Sequence, residues 1–139
     1  MRVYTRTMSS ACYCIVLRKA SRRISAVYDE ALAPYGINIA QFSAIRNIKR
    51  YEPISLTDLA DKLDLDRSTV GRNMKVLERL GLVATATGAD QREAVLSLTA
   101  EGEALLVKSE PIWHDVQVQI EDRLGSEHSR QLSELLEAI

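Results

Sequence analysis

The chain has 139 residues, of which 46% are hydrophobic and 27% charged, with a formal net charge of −1. That is one ordinary domain with enough apolar side chain to build a core without disulfides or metals. The near-neutral balance excludes a globally basic nucleic-acid tail, so any contact with nucleic acid has to come from a local patch.

No stretch approaches the ~20 apolar residues that a bilayer span needs. The short run Ala11–Leu17 leads straight into Arg18 and Lys19 with no small-residue cleavage site, so the chain reads as cytoplasmic. Cys12 and Cys14 stand too close together to staple a fold and read as free thiols. Charge is uneven: residues 1–53 carry nine Lys/Arg against three Asp/Glu, and residues 100–139 carry three against nine. Such complementary ends suit termini that pack on each other, within or between chains, and equally suit two separately solvated faces.

Residues 1–10 show no periodicity. From there to Ala33 the apolar positions Leu17, Ala20, Ile24, Val27 and Ala31 step by three and four, the stripe of an amphipathic helix. Pro34 and Gly36 end it. Asn38 with Gln41 makes a capping pair for a second helix that turns Phe42, Ile45 and Ile48 inward and stops before Pro53. Ser55, with Asp58 three residues on, opens a short helix with Leu56, Leu59, Ala60 and Leu63 inward. Leu65 plugs the following turn. Asp66 caps a further helix that buries Val70, Met74, Leu77 and Leu80 and stops at Gly81.

Two short helices joined by a tight turn predict a helix-turn-helix, with Ala60 small where the helices cross. Leu82–Thr87 and Ala94–Leu98 are strand-like and flank a polar loop with Arg92 near its tip, which predicts a wing. Thr99 caps a long helix to about Leu124, with Leu105, Ile112, Val116 and Ile120 on one stripe and an interruption at Pro111. Ser126 opens a last helix with Leu132, Leu135, Leu136 and Ile139. The fold class is therefore mainly α with a small β-hairpin wing. It is a single domain, in which residues 37–99 form a winged helix-turn-helix DNA-binding lobe and residues 11–36 and 100–139 form dimerisation helices. Those terminal helices carry more apolar surface than one small chain covers, so a two-fold homodimer is expected.

Three stretches carry a likeness: Leu65-Asp66-Arg67-Ser68-Thr69-Val70, Leu77-Glu78-Arg79-Leu80-Gly81-Leu82-Val83, and Asp90-Gln91-Arg92 running on to Leu96-Ser97-Leu98-Thr99-Ala100-Glu101-Gly102. Over nearly its whole length the chain resembles the MarR family of bacterial regulators. The resemblance implies a homodimeric repressor of transcription, released from DNA by a small-molecule effector or by cysteine oxidation. Asn73 departs from it, being polar where the family more often turns an apolar residue inward. Ala94 departs too, standing where many members have a second basic wing residue.

On the helix after the turn, Arg67, Ser68, Thr69, Gly71, Arg72 and Lys75 are expected to face outward. Arg72 suits a base edge, because a guanidinium grips guanine O6 and N7 together. Ser68 and Thr69 suit a base edge or a phosphate, and Lys75 and Arg79 suit phosphates. Gly71 would let the helix approach DNA closely. Arg92 would enter the minor groove with Asp90 holding its guanidinium. The partner is double-stranded DNA, a pseudo-palindromic operator with half-sites ~10 bp apart. The alternative reading of these residues is ordinary solvated charge.

The chain is also similar in part to the peroxide-sensing, OhrR-like branch of the family. That likeness puts Cys14 at the reactive cysteine and Tyr28 at one tyrosine partner, with Arg18 and Ile39 at two other tyrosine positions. Arg18 lies one helical turn from Cys14, a setting that favours thiolate chemistry. The plainer reading is of Cys12 and Cys14 as small buried thiols in a helix interface, two apart on a helix and so on different faces. Trp113, His114 and the tyrosines are weak candidates for a ligand cavity. His114 and His128 have no ligand spacing, and no metal or cofactor is expected.

Two other classes compete. An enzyme finds no support, as there is no Gly-rich phosphate loop, nucleophile elbow, zinc-protease helix or carboxylate cluster. A winged-helix protein-interaction module without specific DNA binding would need neither Arg72 nor Arg92, and its binding would lack the steep salt dependence of phosphate contacts.

Overall fold

The computed structural model describes residues 10–89 and 92–139. The elements, in chain order, are α1 (Tyr13–Leu32), a 3₁₀ turn (Ala33–Tyr35), α2 (Ile39–Tyr51), β1 (Ile54–Ser55), α3 (Leu56–Leu63), α4 (Arg67–Arg79), β2 (Val83–Thr87), β3 (Ala94–Leu98), α5 (Ala100–Leu124) and α6 (Ser126–Glu137). Four of the helix starts are set by side chains that accept an otherwise orphaned backbone N–H. Asn38 accepts from the Gln41 amide while Gln41 reaches back to the Asn38 amide. Ser55 accepts from Asp58, Asp66 from Thr69, and Thr99 from Gly102.

The core lies where α2, α3, α4 and the sheet converge. It contains Phe42, Ile45 and Ile48 of α2, Leu59 and Ala60 of α3, and Val70, Met74 and Leu77 of α4, closed by Ile54, Val83 and Leu96 of the strands. β3 is the middle strand, antiparallel to β1 and β2, with Thr85 opposite Leu96 and Val83 opposite Leu98. β1 was not foreseen, since two residues are too few to show alternation. Beyond its end, Glu52 Oε2 accepts the Leu98 amide at 2.9 Å and supplies the bond that a longer β1 would have made.

Several expectations are corrected. Leu65 does not plug the turn; it is 45% exposed, and the turn is closed by its own amide donating to the Ala60 carbonyl at 3.0 Å, with Asp64 in the left-handed region. Leu80 is half exposed. Gly81 adopts φ 75° and the Leu82 amide returns to the Leu77 carbonyl, a Schellman turn that brings Leu82 into the core in place of Leu80. Pro111 does not interrupt α5, which runs unbroken from Ala100 to Leu124. The carbonyl that Pro111 cannot bond is that of Val107, an exposed residue. Asn73 is exposed and not inward.

Gly71 faces α3. A Cβ there would sit 3.6 Å from the Leu56 side chain, an ordinary contact, so the glycine is not explained by an approach to DNA. The helix gains from a methyl group at this position, and Gly71→Ala is expected to raise stability by about 0.5–1 kcal/mol in urea denaturation.

Candidate nucleic-acid interface

The buried residues of α4 are Val70, Met74 and Leu77. At 100° per residue, the stripe opposite them is Ser68, Arg72, Lys75 and Arg79, and all four are exposed. The fold therefore holds α4 by one face against α3 and β2 and offers a hydroxyl and three cations on the other. Arg67, at the first helical position, is exposed but lies off this stripe. Thr69 is half-buried at its edge.

The start of α4 is a small network. Asp66 Oδ1 accepts the Thr69 amide at 2.8 Å and the Ser68 hydroxyl at 2.6 Å, while Asp66 Oδ2 accepts the Thr69 hydroxyl at 2.8 Å. Arg72 Nη2 donates to Thr69 Oγ1 at 3.3 Å. The Ser68 hydroxyl first, then the Thr69 amide and hydroxyl, hold the Asp66 carboxyl well below the usual carboxylate range. Asp66 was expected only as a helix cap. The signal for more was present, because a residue two positions after the cap and another three after it both carry hydroxyls. Further along, Arg79 Nε donates to the Lys75 carbonyl at 3.4 Å, which lays its guanidinium back along the helix.

The wing follows directly. β2 and β3 pair from Val83–Leu98 out to Thr87–Ala94, and the Gly88 amide donates to the Glu93 carbonyl at 3.0 Å across the loop. Arg92 is exposed beyond the strands. The pairing of Asp90 with Arg92 lies outside the described residues.

Two polar ties, Lys49 to Glu103 and Arg46 to Glu110, and one aromatic seam fasten α2 of this lobe to α5. Lys49 Nζ meets Glu103 Oε1 at 2.6 Å and Glu52 at 3.6 Å, and these carboxylates, Glu103 foremost, raise the Lys49 pKa. Trp113 stacks on Phe42 with ring centroids 5.6 Å apart and carries the Arg46 guanidinium 4.2 Å from its ring centre. Trp113 thus serves packing, and His114 beside it is exposed.

Cys12 and Cys14 are both exposed within the single chain. Cys12 has extended backbone and precedes α1 as its cap, so the helical spacing expected between the two thiols does not apply. Arg18 is exposed one turn after Cys14, whereas Tyr28 sits fourteen residues along the same helix, about 21 Å away at 1.5 Å per residue. Within one chain the fold does not bring Cys14 and Tyr28 together. Tyr28 is buried, its hydroxyl donates to Gln117 Oε1, and burial, then the Glu121 charge, raises its pKa. It lines a cavity of about 400 Å³ between α1, α5 and α6.

A helix-turn-helix followed at once by a two-stranded wing, with cations on both, defines a winged-helix nucleic-acid-binding protein. The family model "MarR family" matches residues 35–93. The M. tuberculosis transcriptional regulator MosR, solved in complex with DNA, is 35% identical, covers 92% of this chain and 96% of its own, and superposes with a TM-score of 0.80. An uncharacterised HTH-type transcriptional regulator of Bacillus cereus is 28% identical over 109 residues, 78% of this chain and 73% of the relative. The organic hydroperoxide resistance transcriptional regulator of Bacillus subtilis is 27% identical over 97 residues, 69% of this chain and 66% of the relative. The chain belongs to the MarR family. It is a DNA-binding transcriptional regulator and not an enzyme. No helix among the described residues is long and apolar enough to cross a membrane.

Proposed function

We propose that the protein is a homodimeric repressor that reads a pseudo-palindromic operator with α4 in the major groove and the wing in the minor groove. The observation that carries this is the outward stripe of Ser68, Arg72, Lys75 and Arg79, followed in the chain by Arg92 on the wing. Arg72 takes a guanine edge, Lys75 and Arg79 take phosphates, Arg67 and Thr69 flank them, and Arg92 with Asp90 serves the minor groove. In this reading residues 37–99 are the DNA-binding lobe, and residues 11–36 and 100–139 hold the dimer.

The dimer is supported by what one chain leaves uncovered. Tyr13, Ile15, Val16, Leu17, Ile24 and Val27 of α1 are exposed, as are Leu132, Leu135 and Leu136 of α6, and Ile139 just beyond it. The stripe read from the sequence as inward-facing is therefore only partly covered within the chain, and a second copy supplies the rest. Repression is the outcome that membership of the family implies.

Release follows from a small ligand or from oxidation at Cys14. In the second case an organic hydroperoxide transfers one oxygen to the thiolate, giving a sulfenate and the alcohol. Arg18, one turn on from Cys14, supports a cationic neighbour for the thiol. Contact between Cys14 and Tyr28 then has to run across the dimer. Peroxide should release the wild-type protein from its operator, and Cys14→Ser should abolish that release; unchanged release in Cys14→Ser would leave the ligand route alone.

The test of DNA reading is fluorescence anisotropy against the protein's own upstream DNA and a scrambled control, titrated across salt. Binding should prefer the native sequence and fall steeply with salt. Arg72→Ala should cost about 1–3 kcal/mol on the preferred sequence and relax the preference, while Lys75→Ala should weaken all sequences alike. Equal weak binding to both DNAs, with no motif selected from random DNA, would favour the protein-interaction module.

A further inference from the structure

Ser68 and Thr69 are held by their protons. The Ser68 hydroxyl donates to Asp66 Oδ1 at 2.6 Å and the Thr69 hydroxyl donates to Asp66 Oδ2 at 2.8 Å. A hydroxyl has one proton and two lone pairs, whereas a carboxylate only accepts. With both protons committed to Asp66, each hydroxyl oxygen can only accept from anything else. Thr69 Oγ1 already accepts from Arg72 Nη2. Ser68 Oγ lies on an exposed residue of the outward stripe and keeps its lone pairs for a ligand.

The groups that DNA offers are sharply divided. Guanine O6 and N7, adenine N7, thymine O4 and the phosphate oxygens all accept. The major-groove donors are the exocyclic amines, cytosine N4 and adenine N6. An oxygen restricted to accepting can pair with the amines and with nothing else in that set. Turning the Ser68 proton outward would remove a charge-assisted bond from a carboxylate that then has to face DNA phosphates with one donor fewer.

Resting on the reading of α4 as the recognition helix, we propose that Asp66 is a specificity-setting positioning residue, which makes Ser68 an obligate acceptor that reads the exocyclic amine of cytosine or adenine. Ser68 and Arg72 then read with opposite polarity one turn apart on the same stripe: the serine needs a donor and the guanidinium needs acceptors. Thr69 is taken out of base reading and becomes the anchor of Arg72. The earlier alternative of a phosphate contact for either hydroxyl is removed, because a phosphate oxygen has no proton to give.

The experiment is selection from random duplex DNA with the wild type, Ser68→Ala and Asp66→Gly, followed by anisotropy on the selected operator. Glycine is among the residues tolerated at a helix N-cap, so Asp66→Gly keeps α4, which circular dichroism verifies. The wild type should demand cytosine or adenine at one position per half-site. Removing that amine, with 2-pyrimidinone for cytosine or purine for adenine, should weaken wild-type binding about tenfold and leave Ser68→Ala indifferent. Asp66→Gly removes both carboxylate oxygens, frees the Ser68 hydroxyl proton and should admit thymine or guanine at the same position. The salt dependence of Ser68→Ala should match the wild type. If Ser68→Ala instead weakens every sequence equally with a shallower salt slope, Ser68 holds a phosphate and the inference falls. It falls too if Asp66→Gly keeps the wild-type preference. A wild type that selects no motif would sink the recognition-helix reading itself, a result distinct from both.

Discussion

Gly102→Ala should destabilise the protein by about 3 kcal/mol or more, although alanine is the better helix former by about 1 kcal/mol. A Cβ at position 102 would stand 2.1 Å from the Leu82 carbonyl oxygen and 3.0 Å from its carbon, both backbone atoms. Neither can swing aside as a side-chain tip would. Leu82 is fixed from two directions, because its amide donates to Leu77 and its carbonyl accepts the Thr99 amide at 3.1 Å. Thr99 Oγ1 donates to the Gly81 carbonyl at 2.6 Å and accepts the Gly102 amide at 3.0 Å. The start of α5 is thus bolted to the point where α4 turns into the wing, and only a residue without a side chain fits between them. Urea denaturation measures the effect, and Gly71→Ala is the internal control of opposite sign. A Gly102→Ala chain as stable as the wild type would mean that α5 does not press on Leu82 in solution. Since the same joint positions the wing, operator affinity should fall with stability.

The second large effect is expected from breaking the dimer. Ile24 on α1 is 41% exposed and Leu135 on α6 67% exposed in the single chain, so aspartate at either keeps access to solvent there. In a dimer built on these helices the same carboxylates would be desolvated without a partner. Ile24→Asp with Leu135→Asp should sediment as a monomer with an unchanged far-ultraviolet circular dichroism spectrum. Joining two half-site readers in one particle adds on the order of 10²–10⁴ in affinity, and the monomer should lose that factor on a two-half-site operator while keeping its weak affinity for one half-site. A doubly substituted chain that remains dimeric would place the dimer interface elsewhere.

Much of this protein is determined locally. Helix starts are legible because Asn38, Ser55, Asp66 and Thr99 each satisfy a backbone amide three residues on, an arrangement that needs no distant partner. The outward stripe of α4 is legible because the burial of Val70, Met74 and Leu77 at helical spacing leaves Ser68, Arg72, Lys75 and Arg79 no other side. The order of helix-turn-helix, wing and long helix follows from the same periodicities.

What the sequence could not decide are the matters settled by distant neighbours. Leu65 and Leu80 have the spacing of buried residues, but a backbone-closed turn and a Schellman turn leave both in solvent and bring Leu82 inward. Gly71 and Gly102 look alike as helical glycines. Only the packing of α3 on one and of the Leu82 backbone on the other separates a tolerant site from an intolerant one. The two-residue β1 exists because β3 is there to pair with it and Glu52 completes the edge. Cys14 and Tyr28 share a helix, yet its length holds them apart. Periodicity records which face of an element is apolar. Whether that face meets this chain, a second copy or solvent depends on non-local contacts, and those come into being only with the tertiary structure.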